Sequence, residues 1–559
     1  MTLTDRLRPL VALLYPEQRE QVTGELVALA DAYAARLAGR RPAEPLTERT
    51  AVLITYGGSV RRPGEAPLRT LAGLLRDRVG PVVTDLHLLP IYPWSSDDGF
   101  AVVDHRAVDP ALGDWDDVAD LARDHALWLD FVANHTSSAC PWFRRWLAGD
   151  EAYAGCYLER DAGFDTARVV RPRTSPLFTP FTRPDGSDVE VWTTFGVDQV
   201  DVDVSTPATL LQLTDVLLGY LVRGAGAVRL DAIGFLWKES GTACLHLPQT
   251  HAVIRLWRVL LDAVAPGTRL LTETNVPHAE NVAYFGDGTD EAHLVYQFAL
   301  PPLVLHAFVC GSTATLRRWA AGIGPVGAAA TWFNFLASHD GIGLRPTEGL
   351  LTDAERDRLV ERALAHGGDV GRAARPDGTS TVYELNVPYL DALCSPDEAV
   401  DPAVLALKAV AAHSILLAVV GVPAIYLHSL LGSRPDLAGA QRSGIARRIN
   451  RPVLDADTLL AELDADPRRH AVLTGLRHLL AVRCTQTAFS PFAPQQVLDL
   501  DDRVFAVRRG SALDALVCVA NVTAETLTLP TLRGVDVLTG AAADPVVLGP
   551  YGVAWVRPT

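Results

Sequence analysis

The sequence predicts an α/β protein built on a (β/α)8 barrel. A small domain is inserted after strand three, a long excursion follows strand seven, and an antiparallel β domain closes the chain. Three observations predict this. Short apolar runs of strand length alternate with helical stretches until eight such runs have passed, as parallel βα units require. Acids, histidines and asparagines recur at the C-terminal ends of those runs, the face on which such barrels carry their chemistry. From about residue 495 the pattern changes to short strands in close succession.

Residues 1–48 are helical in pattern, with Leu26, Leu29, Ala30, Tyr33 and Leu37 recurring at helical spacing. The barrel is expected over 49–135 and 206–494. Its strands are read at Ala51–Gly57, Val82–Pro90, Leu127–His135, Gly226–Phe235, Arg269–Asn275, His293–Phe298, Phe333–Asp340 and Pro423–His428. Residues 136–205, rich in Arg, Pro, Asp and aromatics, form the inserted domain, and 341–400 the excursion after strand seven. Long connections on the catalytic face shape a substrate pocket. Residues 495–559 form the C-terminal β domain.

Composition excludes several classes. A formal charge of −16 opposes nucleic acid and anionic membrane surfaces as partners, because both need a positive face. The seven cysteines are odd in number and contain no CxxC pair, which argues against a disulfide framework and a zinc site and for a reducing compartment. No metal or organic cofactor is expected. The N-terminal segment has too short an apolar core for a signal peptide. Residues 409–433 carry no formal charge, but Gly421-Val422-Pro423 interrupts them, so a buried helix running into a buried strand is expected there. A soluble, cytoplasmic protein is expected.

The chemistry centres on Gly226–Phe235, an apolar run interrupted by Arg229 and Asp231. Residues two apart on a strand share a face, so these charges lie side by side. Read alone, they are a structural ion pair. The other strand ends change that reading. Glu273 closes the neighbouring strand, and adjacent strands lie about 4.8 Å apart. That suits a carboxyl pair about 5–5.5 Å apart, the separation of a retaining glycoside-cleaving pair. One carboxylate attacks the anomeric carbon, and the other, kept protonated, donates to the leaving oxygen. Arg229 would hold Asp231 ionised, and Asp340, two strands on, would be a third acid.

Asp130-Phe-Val-Ala-Asn-His135, Gly226-Ala-Val-Arg-Leu-Asp231-Ala, Glu273 closing a strand and Ser338-His-Asp340 resemble the four signature regions of the α-amylase superfamily, glycoside hydrolase family 13. The resemblance implies that Asp231 is the nucleophile, Glu273 the general acid/base and Asp340 the transition-state stabiliser. It places His135, His339 and Arg229 around the sugar and gives Asp130 a structural role. Ser95–Phe100, Arg171-Pro-Arg173, Gln199–Asp203, Lys238–Thr242, His339–Gly343 and Arg447–Arg451 resemble the sucrose-phosphorylase branch, in which phosphate rather than water attacks the glucosyl-enzyme. This implies that Asp97 and Arg447 hold glucose hydroxyls, Phe100 packs on the sugar and Arg173 helps to bind phosphate. Phe235, Leu344-Arg345-Pro346 and Thr274-Asn275-Val-Pro-His278 depart from sucrose phosphorylases proper. They look more like the glucosylglycerate and sucrose 6′-phosphate phosphorylases, both of which take an anionic acceptor. Arg345, beside the third acid, would pair the acceptor's anion, with Asn275 and His278 just past the acid/base. The implied function is phosphorolysis of 2-O-α-glucosylglycerate, with inorganic phosphate as co-substrate. Sucrose, sucrose 6′-phosphate and glucosylglycerol remain alternative substrates. A hydrolase or transglucosidase, and a non-catalytic binding subunit, are the competing classes.

Overall fold

A computed structural model describes residues 1–374, 379–511 and 514–558. Small parts of the expected excursion after strand seven (375–378) and C-terminal domain (512–513 and 559) lie outside the described residues.

Eight parallel strands close into a barrel: β1 (Val52–Thr55), β2 (Asp85–Leu88), β3 (Ala126–Val132), β4 (Ala225–Asp231), β5 (Arg269–Thr272), β6 (Leu294–Tyr296), β7 (Thr331–Asn334) and β8 (Val422–Tyr426). Each pairs with its neighbours in sequence, and β1 closes the ring against β8. The strands are almost wholly buried, which explains why they read as continuous apolar runs. Trp128, Tyr296 and Phe333 pack together inside the barrel, with ring centroids 5.4 and 4.7 Å apart.

Several strands are shorter than expected. β2 begins at Asp85 because Gly80–Val82 forms a tight helical turn. β7 ends at Asn334, so Ser338, His339 and Asp340 sit on the loop beyond it. β8 ends at Tyr426, and His428 lies in the short helix Leu427–Leu430. β7 and β8 thus leave the ladder on the C-terminal face of the barrel, where the site lies. The uncharged stretch is the expected helix, Pro402–Ala418, running into β8. Among the described residues no helix is long and apolar enough to cross a membrane.

The N-terminal helices Leu3–Leu14 and Arg19–Arg36 lie on the outer helical layer. The first is capped by Thr2, whose hydroxyl accepts the Asp5 N–H while the Asp5 carboxylate accepts the Thr2 N–H. Arg6 pairs with Asp262 at 3.3 Å, and the Tyr33 hydroxyl donates to the Asp215 carboxylate at 2.8 Å. Both acids belong to barrel helices, Pro207–Val222 and Pro248–Val264.

The C-terminal six-stranded antiparallel sheet begins at Gln495. Its strands alternate with period two. Val504, Ala506, Val517 and Val519 face a core of their own, whereas Phe505, Val507, Leu516 and Cys518 join the barrel's core. Two fully buried arginines span this junction. Arg509 donates to the carbonyls of Ala418 (2.7 Å) and Ser490 (2.8 Å), and Arg483 to those of Thr50 (3.1 Å) and Phe489 (3.1 Å).

Candidate active site

β4 and β5 set the centre. In their register Leu271 lies opposite Arg229 and Thr272 opposite Leu230, and the Glu273 N–H donates to the Leu230 carbonyl at 3.2 Å. Asp231 and Glu273 therefore leave neighbouring strands at the same level. Arg229 and Asp231 share a face as expected, and Arg229 Nη1 donates to Asp231 Oδ1 at 2.8 Å. The same nitrogen also bonds Asp130, which in turn is 2.9 Å from His87 Nε2. Burial pushes the Asp130 carboxyl up, but Arg229 and His87 outweigh it and hold the group below its usual range. Asp130 thus anchors the arginine from beneath, the structural role the resemblance implied.

The residue after Asp231 is strained. Ala232 adopts φ +47°, a left-handed conformation that L-residues avoid. This turn aims the Ala232 N–H at Glu273 Oε2, 2.9 Å away. One carboxylate oxygen of Glu273 is so occupied, leaving Oε1 to carry a proton.

Burial raises both the Asp231 and the Glu273 carboxyls, and Arg229 opposes the rise at each. Two neighbouring carboxyls in one buried site are expected to share a proton. Geometry assigns it. Arg229 is in contact with Asp231 at 2.8 Å but stands 4.0 Å from Glu273. The cation therefore favours charge on Asp231, and the proton rests on Glu273.

The third acid arrives from the loop after β7. Burial pushes the Asp340 carboxyl up, but Arg447, 2.7 Å from Oδ1, with help from Arg451, holds it well below the usual carboxylate range. Burial keeps His339 neutral, its affinity for a proton well below the ordinary imidazole value. The His339 ring stacks on Phe100 at 4.8 Å with 7° between planes, and Phe100 also lies 5.7 Å from the Arg229 guanidinium. Phe100, Arg229 and His339 thus form one wall. Asp97, at φ +53°, accepts from Gln199 Nε2 at 3.2 Å, and His135 Nε2 donates to the Phe100 carbonyl at 3.1 Å.

Two expected residues, Arg345 and His278, stand elsewhere than the sequence suggested. Arg345 is beside Glu273 rather than Asp340. After Asp340 the chain forms the strand Ile342–Gly343, which pairs with Leu385 and Glu384, and this carries Arg345 across to the end of β5. There it lines a small pocket of about 40 Å³ with Phe235, Glu273, Asn275 and Tyr383. Asn275 Nδ2 donates to the Tyr383 hydroxyl at 3.0 Å. Arg173 is at the same side, its guanidinium 5.6 Å from the Tyr383 ring and 5.8 Å from that of Phe195. His278 is not brought into the cluster: it stacks on Trp332 at 5.3 Å. Phe333 faces the barrel interior, so Trp332 points outward by strand alternation, and His278 packs behind the wall.

Sequence reasoning missed Glu384. Its buried carboxylate grips Arg447 through two bonds, Nε to Oε1 at 2.9 Å and Nη2 to Oε2 at 2.6 Å, and accepts the Gly341 N–H at 3.2 Å. It therefore holds both the arginine on Asp340 and the backbone beside it. Also missed was Arg451, which donates to the His339 carbonyl (2.8 Å) and to Asp98 (2.8 Å). Lys238 pairs with Asp201 at 2.9 Å and donates to Asn134 at 3.0 Å, tying the inserted segment to the end of β3. Both lie in stretches the sequence singled out; only the pairings were hidden.

Residues 82–318 match the family model described as the α-amylase catalytic domain. A glucosylglycerate phosphorylase from Allomeiothermus silvanus is 44% identical over 99% of this chain and 99% of its own. Another, from Escherichia coli, is 42% identical over 94% of each chain. A sucrose phosphorylase from Bifidobacterium adolescentis is 30% identical over 75% of this chain and 82% of its own. The crystal structure of a sucrose 6F-phosphate phosphorylase from Thermoanaerobacter thermosaccharolyticum superposes with a TM-score of 0.74 at 23% identity, covering 86% of this chain and 95% of that one. With strand ends, site geometry and full-length relatives in agreement, the chain belongs to the α-amylase family, glycoside hydrolase family 13, in its sucrose-phosphorylase-like branch.

Proposed function

We propose that this chain is a retaining glycoside phosphorylase. It converts 2-O-α-D-glucosylglycerate and phosphate reversibly to α-D-glucose 1-phosphate and D-glycerate. The observation that carries the reading is the pocket against Glu273, where Arg345 and Asn275 wait beside the acid/base. An acceptor bearing a carboxylate next to its hydroxyl fits an arginine placed there. The 44% identity to a glucosylglycerate phosphorylase, against 30% to a sucrose phosphorylase, supports the same choice.

The steps follow from the charge states. Asp231 attacks C1 of the glucosyl group as its bond to the glycerate oxygen breaks, and Glu273 gives that oxygen its proton. The product is a β-glucosyl ester of Asp231. Phosphate then enters the place glycerate has left. One of its oxygens attacks C1 from the opposite face, the ester bond breaks, and Glu273 takes the phosphate proton. Two inversions give net retention. Asp340, held ionised by Arg447, faces the positive charge that develops on the sugar. This chemistry calls for phosphate as co-substrate and for no metal or organic cofactor. The seven cysteines are all free, which suits a cytoplasmic protein.

The test runs the reaction backwards. α-Glucose 1-phosphate is incubated with D-glycerate, glycerol, fructose or fructose 6-phosphate, and released phosphate is measured. Release is fastest with D-glycerate. Faster release with fructose than with glycerate overturns the acceptor assignment.

A further inference from the structure

Outside the pocket against Glu273, the inserted segment and the excursion after β7 enclose a larger cavity of about 670 Å³. Arg345 and Tyr383 line both, so the cavity opens onto the acceptor side of the site. Among the described residues five arginines line it, Arg160, Arg168, Arg171, Arg345 and Arg356, and two carboxylates, Asp161 and Glu348, stand among its walls. In a chain of net charge −16, this concentration of positive charge runs against the background.

Several of these arginines are not neutralised locally. Arg160 pairs with Glu190 at 2.9 Å and Arg356 with Asp353. Among the described residues Arg345 has only a distant partner, Glu280 at 3.8 Å. Arg168 donates to the Gly241 carbonyl at 3.3 Å and Arg171 to that of Ser175, and neither forms an ion pair among the described residues. Arg171 Nε is buried there without a hydrogen-bond partner. The inner site, by contrast, is floored by Asp231, Glu273 and Asp340. A small anion approaching the ionised carboxylates of this floor, Asp231 and Asp340, is repelled unless cations line its route.

We propose that this cavity is an outer binding site for small oxyanions, which holds phosphate or glycerate between solvent and the catalytic carboxyls. The inference rests on the phosphorylase reading for its ligands. It goes beyond that reading in assigning Arg168 and Arg171, which touch no catalytic residue, to substrate capture. Such a site raises local anion concentration and association rate, and both effects weaken with salt.

The experiment uses the intact protein and Arg168→Glu, a charge reversal at an exposed side chain. Inorganic phosphate is titrated calorimetrically, and kcat/KM for phosphate, glycerate and neutral glycerol is followed as ionic strength rises. The reversal is expected to lower kcat/KM for phosphate and glycerate about fivefold to tenfold. It flattens their salt dependence, weakens phosphate binding, and leaves kcat and the glycerol reaction within about twofold. Arg171→Gln should act in the same direction. Unchanged phosphate binding and salt dependence in Arg168→Glu, with phosphate-dependent turnover intact, overturns the inference and leaves the phosphorylase reading standing. Phosphate binding that Arg168→Glu weakens, in a protein whose turnover ignores phosphate, supports the outer site and overturns the phosphorylase reading.

Discussion

Glu384 shows how a residue that need not touch the sugar can govern the step at the anomeric carbon. Its two bonds fix the Arg447 guanidinium, and Arg447 in turn keeps Asp340 ionised. Glu384→Gln keeps the side chain's shape and removes its charge. We predict that kcat falls about tenfold to a hundredfold, as misplacing a transition-state charge does, while the glycerate KM stays within about twofold. A parental kcat contradicts this role. Arg345→Ala has the opposite signature: the glycerate KM rises by about tenfold or more while the α-glucose 1-phosphate KM changes little. An unchanged glycerate KM contradicts the acceptor site. The shared proton also makes a pH prediction. The folded-state carboxyl of Glu273 is raised by burial, so the proton needed by the leaving oxygen is present below that raised value and lost as pH climbs through it. At the acid end a second proton on Asp231 removes the nucleophile, giving a bell-shaped profile. Glu273→Gln, assayed with α-glucosyl fluoride, whose leaving group needs no proton, should retain glucosyl transfer to Asp231 and lose the alkaline limb. A limb that persists assigns the proton elsewhere.

At the scale of elements, legibility followed the range of the contacts. Asp231, Glu273 and Asp340 sit at ends of barrel strands or on the loop just beyond, so local pattern plus chain order located them. Chain order alone puts Arg345 beside Asp340, but its place depends on the Ile342–Gly343 strand pairing with Leu385 and Glu384, more than 40 residues away. Closeness to Glu273 in sequence likewise suggests His278 for the site. Its helix, His278–Asn281, turns it back onto Trp332, which no periodicity in its own segment announces. Glu384 lies in an ordinary strand pattern, and its partner Arg447 is 63 residues on. The junction with the C-terminal sheet is of the same kind. Arg509 is fully buried and donates to carbonyls of Ala418 and Ser490, which have no water to turn to if it is lost. Arg509→Ala is expected to destabilise the fold by about 3 kcal/mol, read from denaturant unfolding. A loss below about 1 kcal/mol contradicts a fastening role.

For the whole molecule, the barrel is legible because βα alternation is a statement about order, which survives errors in strand ends. The inserted segment's pocket is not, since it is built from loops with no period. Stability across pH is also a property of the whole. Burial depresses His105 and His413 to about 4 each, below the ordinary value of 6.5. The unfolded chain therefore binds more protons between pH 6.5 and 4. Stability contributed by the neutral rings is present above pH 6.5 and lost as pH falls through that window. The denaturant midpoint should drop between pH 6.5 and 4, and His413→Gln should shrink the drop. A flat midpoint contradicts the burial of neutral histidines.

In the proposed reaction phosphate, not water, receives the glucosyl group from Asp231. The decisive experiment supplies 2-O-α-glucosylglycerate with and without inorganic phosphate and resolves the products. α-Glucose 1-phosphate is expected in amounts equal to the glycerate released, with almost no turnover without phosphate and none in Asp231→Ala. Free glucose released at the same rate whether or not phosphate is present would contradict that reaction.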